Sequence, residues 1–118
     1  MIFFNEPFIS SADRLNISKV LDSKNLADGH FQKKTAELLK KKISSSFLEL
    51  TQSGSNALEV ASLLLKIRPG DEIIMPSFTF SATANAVVLF GGKPVFADVK
   101  STDLCINLDT VEKLITNR

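Results

Sequence analysis

Residues 47–99 alternate short apolar runs with helix-period stretches, and few architectures accept that alternation. The runs at 47–51 (FLELT), 72–75 (EIIM) and 94–99 (PVFADV) are too short for helices and too apolar for strands with one wet face. Between them, Ala57, Val60, Ala61, Leu64 and Leu65 share one side of a helix, and residues 77–90 hold a second helical stretch rich in Ala and Val. Arg68-Pro69-Gly70-Asp71 breaks the first helix and Gly91-Gly92 stops the second. The order β-α-β-α-β predicts an α/β fold, with a parallel sheet, right-handed crossovers and helices on both faces.

Residues 1–10 read as an extended arm. Ser11 is placed to cap a helix running through Ile17, Val20 and Leu21, and Asp28-Gly29 makes a turn. A second helix is expected over 31–43, with Phe31, Leu38, Leu39 and Ile43 at helical spacing. Lys40, Lys41 and Lys42 suit its C-terminal end, where the helix dipole favours cations, and Ser44 to Ser46 form a loop. Near the far end, Asp109 followed by Glu112 signals a helix start, with Val111, Leu114 and Ile115 on its apolar side. The expected division is an arm and helices over 1–45, then the opening of a larger, incomplete α/β domain over 46–118. Three strands seldom complete such a sheet, and a bare edge would remain.

The 118 residues are 44% hydrophobic and 23% charged, an ordinary globular balance. Fourteen Lys and Arg against 13 Asp and Glu leave a net charge of +1. That gives no electrostatic case for nucleic acid or an anionic membrane as partner. Cys105 is the only cysteine and cannot close an internal disulfide, which fits a reducing cytoplasm. The N-terminus lacks a basic, then apolar, leader pattern, and no apolar run approaches bilayer length. A cytoplasmic protein is expected. No residues show metal-ligand spacing.

In open α/β sheets ligands bind where strands end and helices begin. Two such places stand out. In TQSGSNA at 51–57, Gly54 permits close approach, and the N–H groups of Ser55, Asn56 and Ala57 with the Ser55 hydroxyl would form a phosphate cradle. The alternative is an ordinary serine-capped turn. In PSFTF at 76–80, Phe80 could offer a flat face to a planar cofactor while Ser77 and Thr79 cap the next helix. The alternative is that Phe78 and Phe80 are core. Neither a P-loop nor a GxGxxG fingerprint is present. His30, the only histidine, is expected in a turn or interface rather than in catalysis, Asp98 is expected to satisfy local backbone donors, and Cys105 is expected to be inert.

Taken together, LLKIRPGDEIIMPSFTF at 64–80, SATANA at 81–86, GKPVFADV at 92–99 and the upstream SGSNAL resemble the sugar aminotransferases of the DegT/DnrJ/StrS group. FNEP at 4–7 and the Asp28-Gly29-His30-Phe31 turn also fit. The resemblance covers nearly all of the chain but about the first third of the family's length. It implies the aspartate aminotransferase fold (fold type I), with residues 46–118 opening its pyridoxal-phosphate-binding large domain. It implies pyridoxal 5'-phosphate as cofactor, held by Gly54, Ser55 and Asn56 at the phosphate and by Phe80 against the pyridine ring. Many relatives carry Trp or Tyr at the Phe80 position. It also implies weaker substrate-contact roles for Asn5, Asp28, His30 and Phe31. Within the group, IMPSFTFSATANAVVL points to members that aminate C4 of dTDP-4-oxo-6-deoxy-D-glucose, with glutamate as amino donor, for lipopolysaccharide or enterobacterial common antigen. Such enzymes are homodimers. The family's cofactor-bearing lysine and pyridine-pairing aspartate are expected beyond residue 118, and none of Lys19, Lys66, Lys93 or Lys100 sits in the right motif. The chain is therefore expected to hold no catalytic residue and to be inactive alone. The alternative expectation is a non-catalytic α/β fragment that acts by oligomerising or interacting.

Overall fold

The computed structural model describes residues 5–27 and 29–117. Contacts divide the chain into two compact units, Met1–Leu50 and Thr51–Arg118.

The first unit carries two helices. α1 (Ser11–Asp22) starts from Ser10, not from the expected Ser11. The Ser10 hydroxyl accepts the Asp13 N–H at 3.2 Å, and the Asp13 carboxylate accepts the Ser10 N–H at 2.8 Å. This reciprocal box needs an acid three residues after the cap, and only Ser10 has one. The Ser10 hydroxyl and, secondarily, its N–H hold the Asp13 carboxyl below the ordinary 3.8. α2 (His30–Ile43) follows an N-cap Gly29 that offers no side-chain acceptor. It ends on Ser44 in the left-handed region, with the three lysines in its last turn.

The second unit begins with α3 (Gly54–Leu64), then β1 (Glu72–Pro76), α4 (Ser81–Leu89), β2 (Lys93–Ala97) and α5 (Leu108–Leu114). β1 and β2 pair in parallel, from Glu72 opposite Lys93 to Pro76 opposite Ala97. The Ser77 N–H extends the ladder to the Ala97 carbonyl at 2.8 Å. Lys93 Nζ lies 2.8 Å from Glu72 Oε1 across the first pair. α4 packs on both strands and against α3, and α5 packs on β2. The core is small: Met75, Ala86, Val87 and Ala97, with Ser62 from α3.

Two expectations are corrected here. The run at 47–51 is not a strand: residues 47–50 form no ladder, and Phe47 is 89% exposed. A strand exists only with a neighbour, and among the described residues of its own unit there is none. The β-α-β-α-β core is therefore two parallel strands with helices, and the α/β class stands. The last helix is capped by Asn107, whose side chain accepts the Asp109 N–H at 3.1 Å; Asp109 sits inside the first turn. An antiparallel bridge from Val99 to Ile106 closes the loop before it, and the Asp98 carboxylate accepts the Val99 N–H at 2.8 Å, as expected of a local role. No helix among the described residues is long and apolar enough to cross a membrane.

Candidate functional site

The start of α3 sets which donors remain for a ligand. Ser53 is extended, and its hydroxyl accepts the Asn56 N–H at 3.1 Å. The Ser53 carbonyl takes the Ala57 N–H at 3.0 Å, and Thr51 Oγ1 donates to that same carbonyl at 2.9 Å. Two of the three amides expected in the cradle are thus occupied by the helix itself. The donors without a partner among the described residues are the N–H groups of Gly54 and Ser55 and the Ser55 hydroxyl. A Cβ on Gly54 would meet nothing within 4 Å, so that face is open. No acid lies in the first turn, which suits an anion at the positive end of the dipole; Glu59 stands one turn further along the helix.

α4 begins in a way its sequence did not suggest. Its N-cap is Phe80, which has no acceptor, and neither Ser77 nor Thr79 substitutes. Thr79 Oγ1 instead pairs with Thr83 Oγ1 at 2.9 Å, and the Ser77 N–H is spent on the sheet. The amides of Ser81 and Ala82 consequently have no partner among the described residues. The Phe80 ring is 77% exposed, and Phe78 is exposed as well, so neither is core.

A cavity of about 200 Å³ joins these two helix starts, lined by Ser55, Glu59, Phe80, Ser81, Ala82 and Asn85. Ser55 and Phe80, distant in sequence, share it. Gly54 and Asn56 flank Ser55 without lining it. Glu59, Ser81 and Asn85 were not singled out from the sequence. The signal for Glu59 and Asn85 was their spacing: each lies four residues after a lining serine, and so on the same helix face.

The weaker candidates lie in the first unit. His30 and Phe31 open α2 with their rings edge to face, centroids 5.7 Å apart at 75°. Both line a separate cavity of about 490 Å³. Asn5 is exposed and belongs to no helix or strand, and Asp28 lies outside the described residues. Cys105 is exposed. No group of three His, Cys, Asp or Glu among the described residues could hold a metal ion.

The family model for DegT/DnrJ/EryC1/StrS aminotransferases matches residues 7–118. The chain belongs to this family. It is similar to the 3-oxo-glucose-6-phosphate:glutamate aminotransferase of Bacillus subtilis, 35% identical over 105 residues, 88% of this chain and 24% of that protein. It is also similar to the UDP-N-acetyl-3-dehydro-alpha-D-glucosamine 3-aminotransferase of Acidithiobacillus ferrooxidans, 47% identical over 66 residues, 56% of this chain and 18% of that protein. Among solved structures it superposes on NtdA from Bacillus subtilis with bound PMP, at a TM-score of 0.80 and 34% identity, over 90% of this chain and 25% of that one. These neighbours are aminotransferases of fold type I, and the DegT/DnrJ/EryC1/StrS chain described here spans about a quarter of their length.

Proposed function

We propose that this chain is the cofactor-gripping part of a pyridoxal-phosphate-dependent sugar aminotransferase. One observation carries the reading: Ser55 and Phe80 line a single cavity at the meeting of two helix starts that leave amides unused. That donor set fits the cofactor. The Gly54 and Ser55 amides with the Ser55 hydroxyl suit a phosphate dianion, and the exposed Phe80 ring suits a flat heteroaromatic face. Asn56 contributes by holding the turn, since its N–H is spent on Ser53. When bound, pyridoxal phosphate supplies an electron sink for the carbon that gains or loses nitrogen.

The residues of this chain bind and orient. Ser55 and the α3 amides fix the anionic end, and Phe80 holds the ring flat. His30 and Phe31, together with Asn5 and Asp28, are the proposed substrate contacts. None of the chain's own lysines is assigned the proton transfer, so the chain alone is proposed to turn over nothing. The activity it serves is amino transfer from glutamate to the C4 ketone of dTDP-4-oxo-6-deoxy-D-glucose, in a cytoplasmic homodimer. The relatives named above act on a hexose phosphate and on a UDP-linked sugar, which supports a phosphorylated keto-sugar as the substrate class. The test places these 118 residues in a polypeptide of the relatives' length and measures 2-oxoglutarate released with dTDP- and UDP-linked keto-sugars. Release with the dTDP-4-keto sugar is expected; release with neither nucleotide sugar removes the reading.

A second reading has its own observation. Leu64 and Leu65 are each 75% exposed at the end of α3, and both outer edges of the β1–β2 pair are unpaired among the described residues. Such a surface supports a piece that associates with itself or with other chains.

A further inference from the structure

Glu59 is a charge that the grip on the cofactor leaves unused. It follows Ser55 by four residues on the same face of α3, and both side chains line the cavity between α3 and α4. Four residues at about 1.5 Å each set Glu59 about 6 Å further along the helix axis. Both residues are half-buried. The Glu59 carboxylate forms no hydrogen bond or ion pair among the described residues. A carboxylate repels a phosphate, so Glu59 adds nothing to the hold on the anionic end. What it favours is a ligand that carries a positive group beside its phosphate. The cofactor exists in two forms of nearly one shape. The aldehyde is neutral at the carbon that exchanges nitrogen, and the amine carries an ammonium there in neutral water. That carbon and the phosphate arm stand on neighbouring atoms of the pyridine ring. The ammonium and the phosphate are therefore offset on the scale of the helical turn that separates Glu59 from Ser55.

We propose that Glu59 gives this cavity a preference for the amine form, pyridoxamine phosphate, over uncharged forms of the same molecule. The proposal rests on the aminotransferase reading and deepens it, by assigning a specificity to a residue outside the phosphate grip. Ser55 takes the phosphate, Phe80 takes the ring face, and the Glu59 carboxylate accepts from the ammonium. The Asn85 side chain lines the same cavity from α4, has no hydrogen-bond partner among the described residues, and offers a neutral acceptor. Water reaches a half-buried acid, so the preference is moderate, about three- to tenfold. A site with this preference retains the cofactor in its nitrogen-loaded form, the form that delivers nitrogen to a ketone.

Equilibrium dialysis of the full chain compares pyridoxamine phosphate with pyridoxine phosphate, which has a hydroxyl in place of the amine. Neither carries an aldehyde, so neither condenses with the chain's lysines. The ratio of the two dissociation constants should favour the amine by about three- to tenfold. Glu59→Gln should bring that ratio to within about twofold of equality, chiefly by weakening the amine. Glu59→Asp, which keeps the charge on a side chain one methylene shorter, should give an intermediate ratio. Glu112→Gln on α5 should leave the ratio unchanged. Salt at about 1 M should shrink the wild-type ratio. Where Glu59→Gln lacks helix by circular dichroism, the salt series and Glu59→Asp carry the test. A wild-type ratio near equality, or a ratio that Glu59→Gln leaves intact, overturns the proposal. Equal binding of both esters that Ser55→Ala weakens sinks this proposal alone and leaves the aminotransferase reading standing. No saturable binding of either ester removes both.

Discussion

Phe80 is where local stability and ligand binding pull apart. An aromatic N-cap leaves the α4 amides bare, whereas Ser or Asp would satisfy one of them. Phe80→Asp is predicted to stabilise the chain by about 0.5–1 kcal/mol while weakening cofactor binding, checked by urea midpoint and by pyridoxal phosphate affinity. A loss of both would mean the ring packs structurally. Asp13 gives a pH signature. Its carboxyl is held below its unfolded value, so its contribution to α1 is complete above about pH 4 and is lost as pH falls through the folded value. Helicity by circular dichroism should fall on acidification in the wild type, and that fall should be smaller in Asp13→Asn. The two residues also show what sequence reveals at this scale. Ser55 and Phe80 could be picked out as candidates because each follows a strand-like run at a helix start, and the structure brings both to one cavity. Which serine caps, and therefore which amides stay free, was not. Ser53 and Ser55 are equivalent on paper until the backbone at Ser53 turns extended and takes the Asn56 N–H.

Elements were read well where pattern and breaker agreed. β1 and β2 are apolar runs bounded by Pro and Gly, and α4 ends where Gly91, at φ 84°, takes a turn that side-chained residues resist. Gly92 is needed for a different reason. A Cβ there would lie 2.7 Å from Ile67 Cγ2 and 2.8 Å from Val87 Cγ1, inside the small core. Gly92→Ala is predicted to cost about 1–3 kcal/mol, read as a lower urea midpoint; an unchanged midpoint would mean that α4 and β1 shift freely. The run at 47–51 failed as a strand because β pattern describes a side-chain environment, not a partner. Its alternation was visible; the neighbour it lacks among the described residues was not. The start of α5 shifted by two residues for a related reason: Asn107 is as good a cap as Asp109, and spacing alone cannot rank them.

For the whole molecule, the decisive fact is how little is buried. Among the described residues, four apolar side chains form the core of the second unit, and neither α1 nor α2 contains a buried residue. Composition alone could not show this, since an average hydrophobic content says nothing about how much of it finds cover. The isolated chain is predicted to self-associate as its concentration rises, visible as a growing sedimentation coefficient; a constant monomer would contradict the second reading offered above. One cavity between α3 and α4 is proposed to grip the cofactor. Equilibrium dialysis of pyridoxal phosphate against the chain, Ser55→Ala and Phe80→Ala tests it most directly. Saturable binding is predicted, weakened roughly 10-fold or more by Ser55→Ala and roughly 3- to 10-fold by Phe80→Ala. Binding that neither substitution alters, or no saturable binding, would contradict the account.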